Sequence, residues 1–88
     1  MYTLCLPKIE KSTTKMQLFN VFNKYKFGNI KKIDLISISQ NKRAFIHYQT
    51  WNNNEKNNII KGYLDDGLDI KIIYEFPWFW KCSKSKSN

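Results

Sequence analysis

The stretch Arg43-Ala44-Phe45-Ile46-His47-Tyr48 alternates strictly between two kinds of side chain and follows a polar turn, Ser39-Gln40-Asn41-Lys42. Successive side chains of an extended chain point to opposite sides, so a period of two marks a strand with two unlike faces. Ala44, Ile46 and Tyr48 form a core face. Arg43, Phe45 and His47 set a cation, an aromatic ring and an imidazole side by side on the other. An uncovered sheet face of that kind can stack bases and grip phosphates.

The flanking sequence supplies the remaining elements. Tyr2-Thr3-Leu4-Cys5-Leu6 reads as a short strand stopped by Pro7. Ser12-Thr13-Thr14 offers cap hydroxyls for a helix running to about Tyr25, with Leu18, Val21, Phe22 and Tyr25 on one face. Gly28 with Asn29 is expected to end it. Ile30, Ile33, Leu35 and Ile38 belong to a second strand with Lys31 and Lys32 at its start, and the alternating stretch is the third. After Trp51 the polar run 52–58 resembles low complexity. Ile59, Ile60, Tyr63 and Leu64 nevertheless recur at helical spacing, with Asn52 or Asn53 as cap. Asp65-Asp66-Gly67 is a turn, not an acid–base pair. Leu68, Ile70, Ile72 and Tyr74 then alternate as a fourth strand.

The order strand, helix, strand, strand, helix, strand predicts an α+β fold, a ferredoxin-like βαββαβ sandwich. It has a four-stranded antiparallel sheet with two helices on one face and the other face open. The domain is expected over residues 1–80, and the Ser- and Lys-rich residues 81–88 as a disordered basic tail.

Eighty-eight residues allow one small domain, and a hydrophobic share of 42% is enough for one core. Fifteen Lys and Arg against seven Asp and Glu give a net charge of +8, which favours polyanionic partners, nucleic acid before acidic membrane. An AT-rich genome also enriches Lys, Asn and Ile, so charge by itself is modest evidence. Cys5 and Cys82 stand far apart, and with one histidine the ligands are too few for zinc. No metal and no cofactor are expected, and the two cysteines read as free thiols of a reducing compartment. No apolar run is long enough to span a bilayer and no signal peptide is visible, so a soluble intracellular protein is expected, without membrane association.

Over nearly the whole chain, from Tyr2 to Tyr74, this pattern resembles the RNA recognition motif (RRM). Ala44, Phe45, Ile46 and Tyr48 follow the back half of its octamer; Leu18, Val21, Phe22, Gly28 and Ile30 follow its first helix and exit. Tyr2 stands where the family carries an open-face aromatic on the first strand. Arg43 occupies the place of the first stacking aromatic of the third strand, and Lys42 that of the preceding glycine. A narrower resemblance links Pro7-Lys8, Ile33-Asp34, Phe45-Ile46-His47-Tyr48, Trp51 and the segment Tyr74 to Lys81 to small RRM-like proteins of large DNA viruses, which implies fold and viral origin more than an activity.

These residues imply a module for single-stranded nucleic acid, RNA before DNA. Tyr2, Arg43 and Phe45, flanked by His47, would contact bases from the sheet, while Lys32, Lys71, Lys81, Lys84 and Lys86 would neutralise phosphates. Tyr2 and Phe45 could instead pack under the C-terminal aromatics. Trp78, Phe79 and Trp80 cannot all enter a core at the chain's end. They either fold across the sheet and plug it or dock on a protein partner, the alternative being a protein-interaction or virion structural component. Trp51 is expected to anchor local packing. His47 has no cysteine, serine or carboxylate constellation around it in the sequence, and no catalytic motif is present. An enzyme is not expected.

Overall fold

The computed structural model describes residues 2–86; Met1, Ser87 and Asn88 lie outside the described residues. The chain is α+β, in the order β1 (Tyr2–Glu10), α1 (Lys15–Tyr25), β2 (Gly28–Ile38), β3 (Asn41–Trp51), α2 (Glu55–Asp65), β4 (Ile70–Glu75), β5 (Trp78–Lys84). The five strands form one antiparallel sheet, ordered β2-β3-β1-β5-β4.

Local chemistry sets most boundaries. The Thr14 hydroxyl accepts the Gln17 N–H at 3.1 Å and starts α1. Lys26, at φ 56°, ends it in the left-handed region, two residues before the glycine expected there. Gly28 instead permits a close approach within the sheet. Any Cβ there would collide with the Thr50 carbonyl oxygen, because β2 and β3 close tightly opposite Trp51. The cap of α2 is Asn54, whose side chain accepts the Asn57 N–H at 2.8 Å.

The asparagine run is a clasp and not a featureless linker. Asn52 N–H donates to Phe27 O at 2.7 Å, and the Asn52 and Asn57 amides both donate to Lys26 O at 3.0 Å. These asparagines give the Lys26 and Phe27 carbonyls partners where α1 turns into β2.

Leu4, Leu6, Ala44, Ile46 and Tyr48 line the inner face of the sheet and pack with Leu18 and Phe22 of α1, Leu64 of α2, Ile72, Trp80 and Cys82. Both helices therefore cover the same face. Phe27 stacks on Trp51 at 5.2 Å between ring centroids, and Trp51 also meets Tyr2 and Tyr48 at 5.0 and 5.4 Å, so Trp51 is the anchor expected of it. On α2 the inward residues are Asn57, Ile60 and Leu64, one side of a 3.6-residue period, while Ile59 and Tyr63 are exposed. In β2, Ile33 and Leu35 face inward and Ile36 and Ile38 are exposed.

The sheet has five strands, not the four expected. Phe76-Pro77 reverses the chain and Trp78–Lys84 returns as β5, slotting between β4 and β1. Its junction with β1 is short: Leu4 faces Lys84, Cys5 faces Ser83, and Ser85 N–H donates to Thr3 O at 2.9 Å. Since β5 is antiparallel to both neighbours, β4 and β1 run parallel to each other. The physical reason is alternation: Trp80 and Cys82 are apolar at a spacing of two, and their burial holds the strand in register. Lys81 to Lys84 are thus strand and not tail, and the ordered chain continues past residue 80 to the end of the described residues. No helix among the described residues is long and apolar enough to cross a membrane.

Candidate nucleic-acid interface

The face opposite the helices is built from alternate residues of all five strands. Across it the register aligns Lys32 and Asp34 of β2 with His47 and Phe45 of β3, then with Thr3 and Cys5 of β1, and Cys5 with Ser83 of β5. Farther out Lys81 faces Lys71 and Phe79 faces Ile73. Lys32, Arg43, Lys71 and Lys81 are exposed there, with Asp34 among them and Glu75 at the rim by alternation. Lys71 Nζ sits 4.8 Å above the Phe79 ring, a cation–π contact that keeps both on the surface.

Phe45 is half-buried in the middle of β3 with Arg43 beside it. Together with Cys5, Ser83, Lys84, Ser85 and Lys86 they border a depression of about 270 Å³. Ring, guanidinium and hydroxyls share one concavity. Such a surface can hold a planar base against Phe45 while Arg43 meets a phosphate.

His47 is placed more tightly than its sequence context indicated. Its Nε2 lies 2.8 Å from Asp34 Oδ2 and its Nδ1 3.0 Å from Thr3 Oγ1, so one imidazole ties β2, β3 and β1 together. A carboxylate does therefore stand beside it, brought by the β2–β3 register. The hydrogen bond from His47 holds the Asp34 carboxyl below the usual carboxylate range, helped by Lys32 at 4.0 Å. Thr3 is buried, so this chain of groups orients the ring and braces the sheet.

Several expected site residues lie elsewhere. Tyr2 does not share the face with Phe45; it pairs with Tyr48 on the helix side, and its hydroxyl donates to Asp65 Oδ1 of α2 at 2.8 Å. Counting alternation from Leu4 and Leu6, both fully buried, puts Tyr2 inward. Burial and that bond push its phenol pKa up. Lys84 also turns to the helix side, 3.2 Å from Asp65 and over the Tyr2 ring, so it is an ion-paired strut and not a free phosphate contact.

The C-terminal aromatics do not fold across the sheet as a plug, and the three rings are not exposed together. Trp80 is 2% exposed and stacks on Tyr74 at 4.3 Å between centroids, so it is core and unavailable to a partner. Trp78 and Phe79, which precede it in β5, are 63% and 44% exposed. Thr3, Cys5 and Ser83 are face residues that the sequence pattern did not bring forward, and Phe79, expected as part of a docking segment, joins them on this face. The signal was the alternation Trp78-Phe79-Trp80-Lys81-Cys82, legible as a strand once Phe76-Pro77 is taken as a turn.

Cys5 and Cys82 are free thiols on opposite faces of the sheet. Among the described residues no group of three or more His, Cys, Asp or Glu side chains could hold a metal ion. No family model, curated protein or solved structure matches this chain.

Proposed function

We propose that this protein binds single-stranded nucleic acid, RNA before DNA, across the sheet face opposite its helices. One observation carries the reading: Phe45 and Arg43 share a concavity in a face where Lys32, Arg43, Lys71 and Lys81 outnumber the carboxylates Asp34 and Glu75. Asp34 is moreover engaged by His47, which leaves the cations the better exposed charges. Stacking supplies affinity for any base, and the lysines supply salt-dependent attraction to the backbone. The resemblance to the RRM supports the same reading, with two departures. Arg43 replaces a stacking ring, and Tyr2 does not present its ring on this face. Affinity then leans on charge more than it does in a platform with several rings.

An anisotropy titration of a fluorescent oligouridylate and its deoxy counterpart at two salt concentrations tests this. Phe45→Ala is expected to weaken binding by about 1–3 kcal/mol, the worth of one stacked base. Lys71→Ala and Lys81→Ala are each expected to lower the slope of log affinity against log salt by about 1. Lys84→Ala should leave that slope unchanged, its ammonium being paired with Asp65. Binding that ignores salt, or that survives Phe45→Ala intact, would refute the proposal.

A second reading, docking on a protein, is favoured by one observation. Phe76 and Trp78 protrude from the β4–β5 turn, 84% and 63% exposed. Large aromatics held in solvent are the usual anchors of interfaces.

A further inference from the structure

Apart from the nucleic-acid face, two exposed apolar features among the described residues sit at opposite edges of the sheet. The first is a groove of about 440 Å³ between α1 and β2, the strand at one edge. Met16, Phe19, Ile30 and Ile33 make its floor, with Met16 68% and Phe19 42% exposed. Lys15, Lys31 and Lys32 rim it. The one carboxylate carried by α1 and β2, Asp34, is committed to His47. An apolar trough ringed by lysines calls for an apolar plug that carries negative charge.

The second feature is such a plug. The turn joining β4, the opposite edge, to β5 reads Glu75-Phe76-Pro77-Trp78. Its two rings project into solvent and a carboxylate precedes them. Pro77 fixes its own φ, and the paired strands on either side hold the turn, so little conformational freedom is lost when it docks.

We propose that the Glu75–Trp78 turn of one copy docks in the α1–β2 groove of a second copy, with Phe76 and Trp78 against Met16 and Phe19 and Glu75 toward the rim lysines. Because tip and groove lie at opposite edges, we take a copy that fills its neighbour's groove to leave its own groove, at the far edge, open to a third copy. The contact is therefore heterologous and propagates head to tail instead of closing as a two-fold dimer. A four-residue turn in a shallow groove falls at the small end of specific interfaces, and the net charge of +8 opposes close approach of copies. Association is weak and reversible.

Sedimentation velocity on the full chain tests this. From about 10 μM to about 1 mM, the range of weak interfaces, the wild-type sedimentation coefficient should climb beyond that of a dimer. Met16→Glu, which spoils only the groove, and the double substitution Phe76→Ser with Trp78→Ser, which spoils only the tip, should each stay monomeric over that range. All three positions are exposed, so circular dichroism should show both variants folded. Mixed in equal amounts, the two variants retain one good tip and one good groove between them. The mixture should form a species no larger than a dimer. A wild type that stays monomeric, a single variant that associates as the wild type does, or a mixture of folded variants that stays monomeric would each overturn the proposal.

Discussion

The hydroxyl of Tyr25 closes one edge of the sheet at Ile73: it accepts the Ile73 N–H at 2.8 Å and donates to the Ile73 carbonyl at 3.3 Å. An edge strand offers unpaired backbone groups to any other strand, and a side chain that takes both groups of one residue blunts that offer. Tyr25→Phe is expected to cost about 0.5–1.5 kcal/mol, the net worth of a hydrogen bond. It should also speed hydrogen exchange at the Ile73 amide more than at Ile72. Unchanged exchange at Ile73 would show that the hydroxyl does not guard the edge.

Trp78 and Trp80 stand two residues apart and are expected to behave oppositely. Trp80 fills the core against Tyr74, so Trp80→Ala should destabilise by about 3–5 kcal/mol, as Phe22→Ala should in α1. Trp78→Ala should stay within about 0.5 kcal/mol of the wild type, as exposed substitutions do. Urea midpoints decide this, and equal losses at the two tryptophans would contradict the burial of Trp80 and the exposure of Trp78.

Two carboxylates link stability to pH. Asp34, through its hydrogen bond to His47, and Asp65, through those to Tyr2 and Lys84, have pKa values below the ordinary aspartate value of about 3.9. A carboxyl depressed by folding stabilises the native state at pH above its unfolded pKa, and that contribution is lost as pH falls through the lower folded value. Stability should therefore be level near pH 5 and decline below about pH 4. The combined variant Asp34→Asn, Asp65→Asn should start lower and decline less over the same interval. Parallel curves for the two proteins would remove these carboxylates from the acid transition.

Thiol titration separates the two cysteines. Burial pushes the Cys82 thiol well up, and Cys5 is raised more mildly, with Arg43 pulling it the other way. The thiolate is the reactive form, so at pH 8 the native protein should expose one slow thiol, Cys5, and release Cys82 only in denaturant. Two thiols reacting at once in the native state would place Cys82 outside the core.

What the sequence determined by itself is what depends on neighbours a few residues away. The period of two in Arg43–Tyr48 set the faces of β3, and Ala44, Ile46 and Tyr48 are all fully buried. The stripe Leu18–Phe22 and the threonine cap set α1, and two helices with an antiparallel sheet followed from element order. What only the tertiary structure decided is which strands lie side by side. Tyr2 alternates with Leu4 and Leu6, which gives its side, but that this side lies under α2, with its hydroxyl on Asp65, 63 positions away, came from the tertiary structure. His47 met Asp34 only because β2 and β3 fixed their register. Trp80 became core, and Lys81 strand, because β1 had a free edge and a buried tryptophan gains more than an exposed one. Pairing and burial are long-range events whose energy depends on surfaces that no local window contains, and here they moved two of the expected contact residues, Tyr2 and Lys84, to the other side of the sheet.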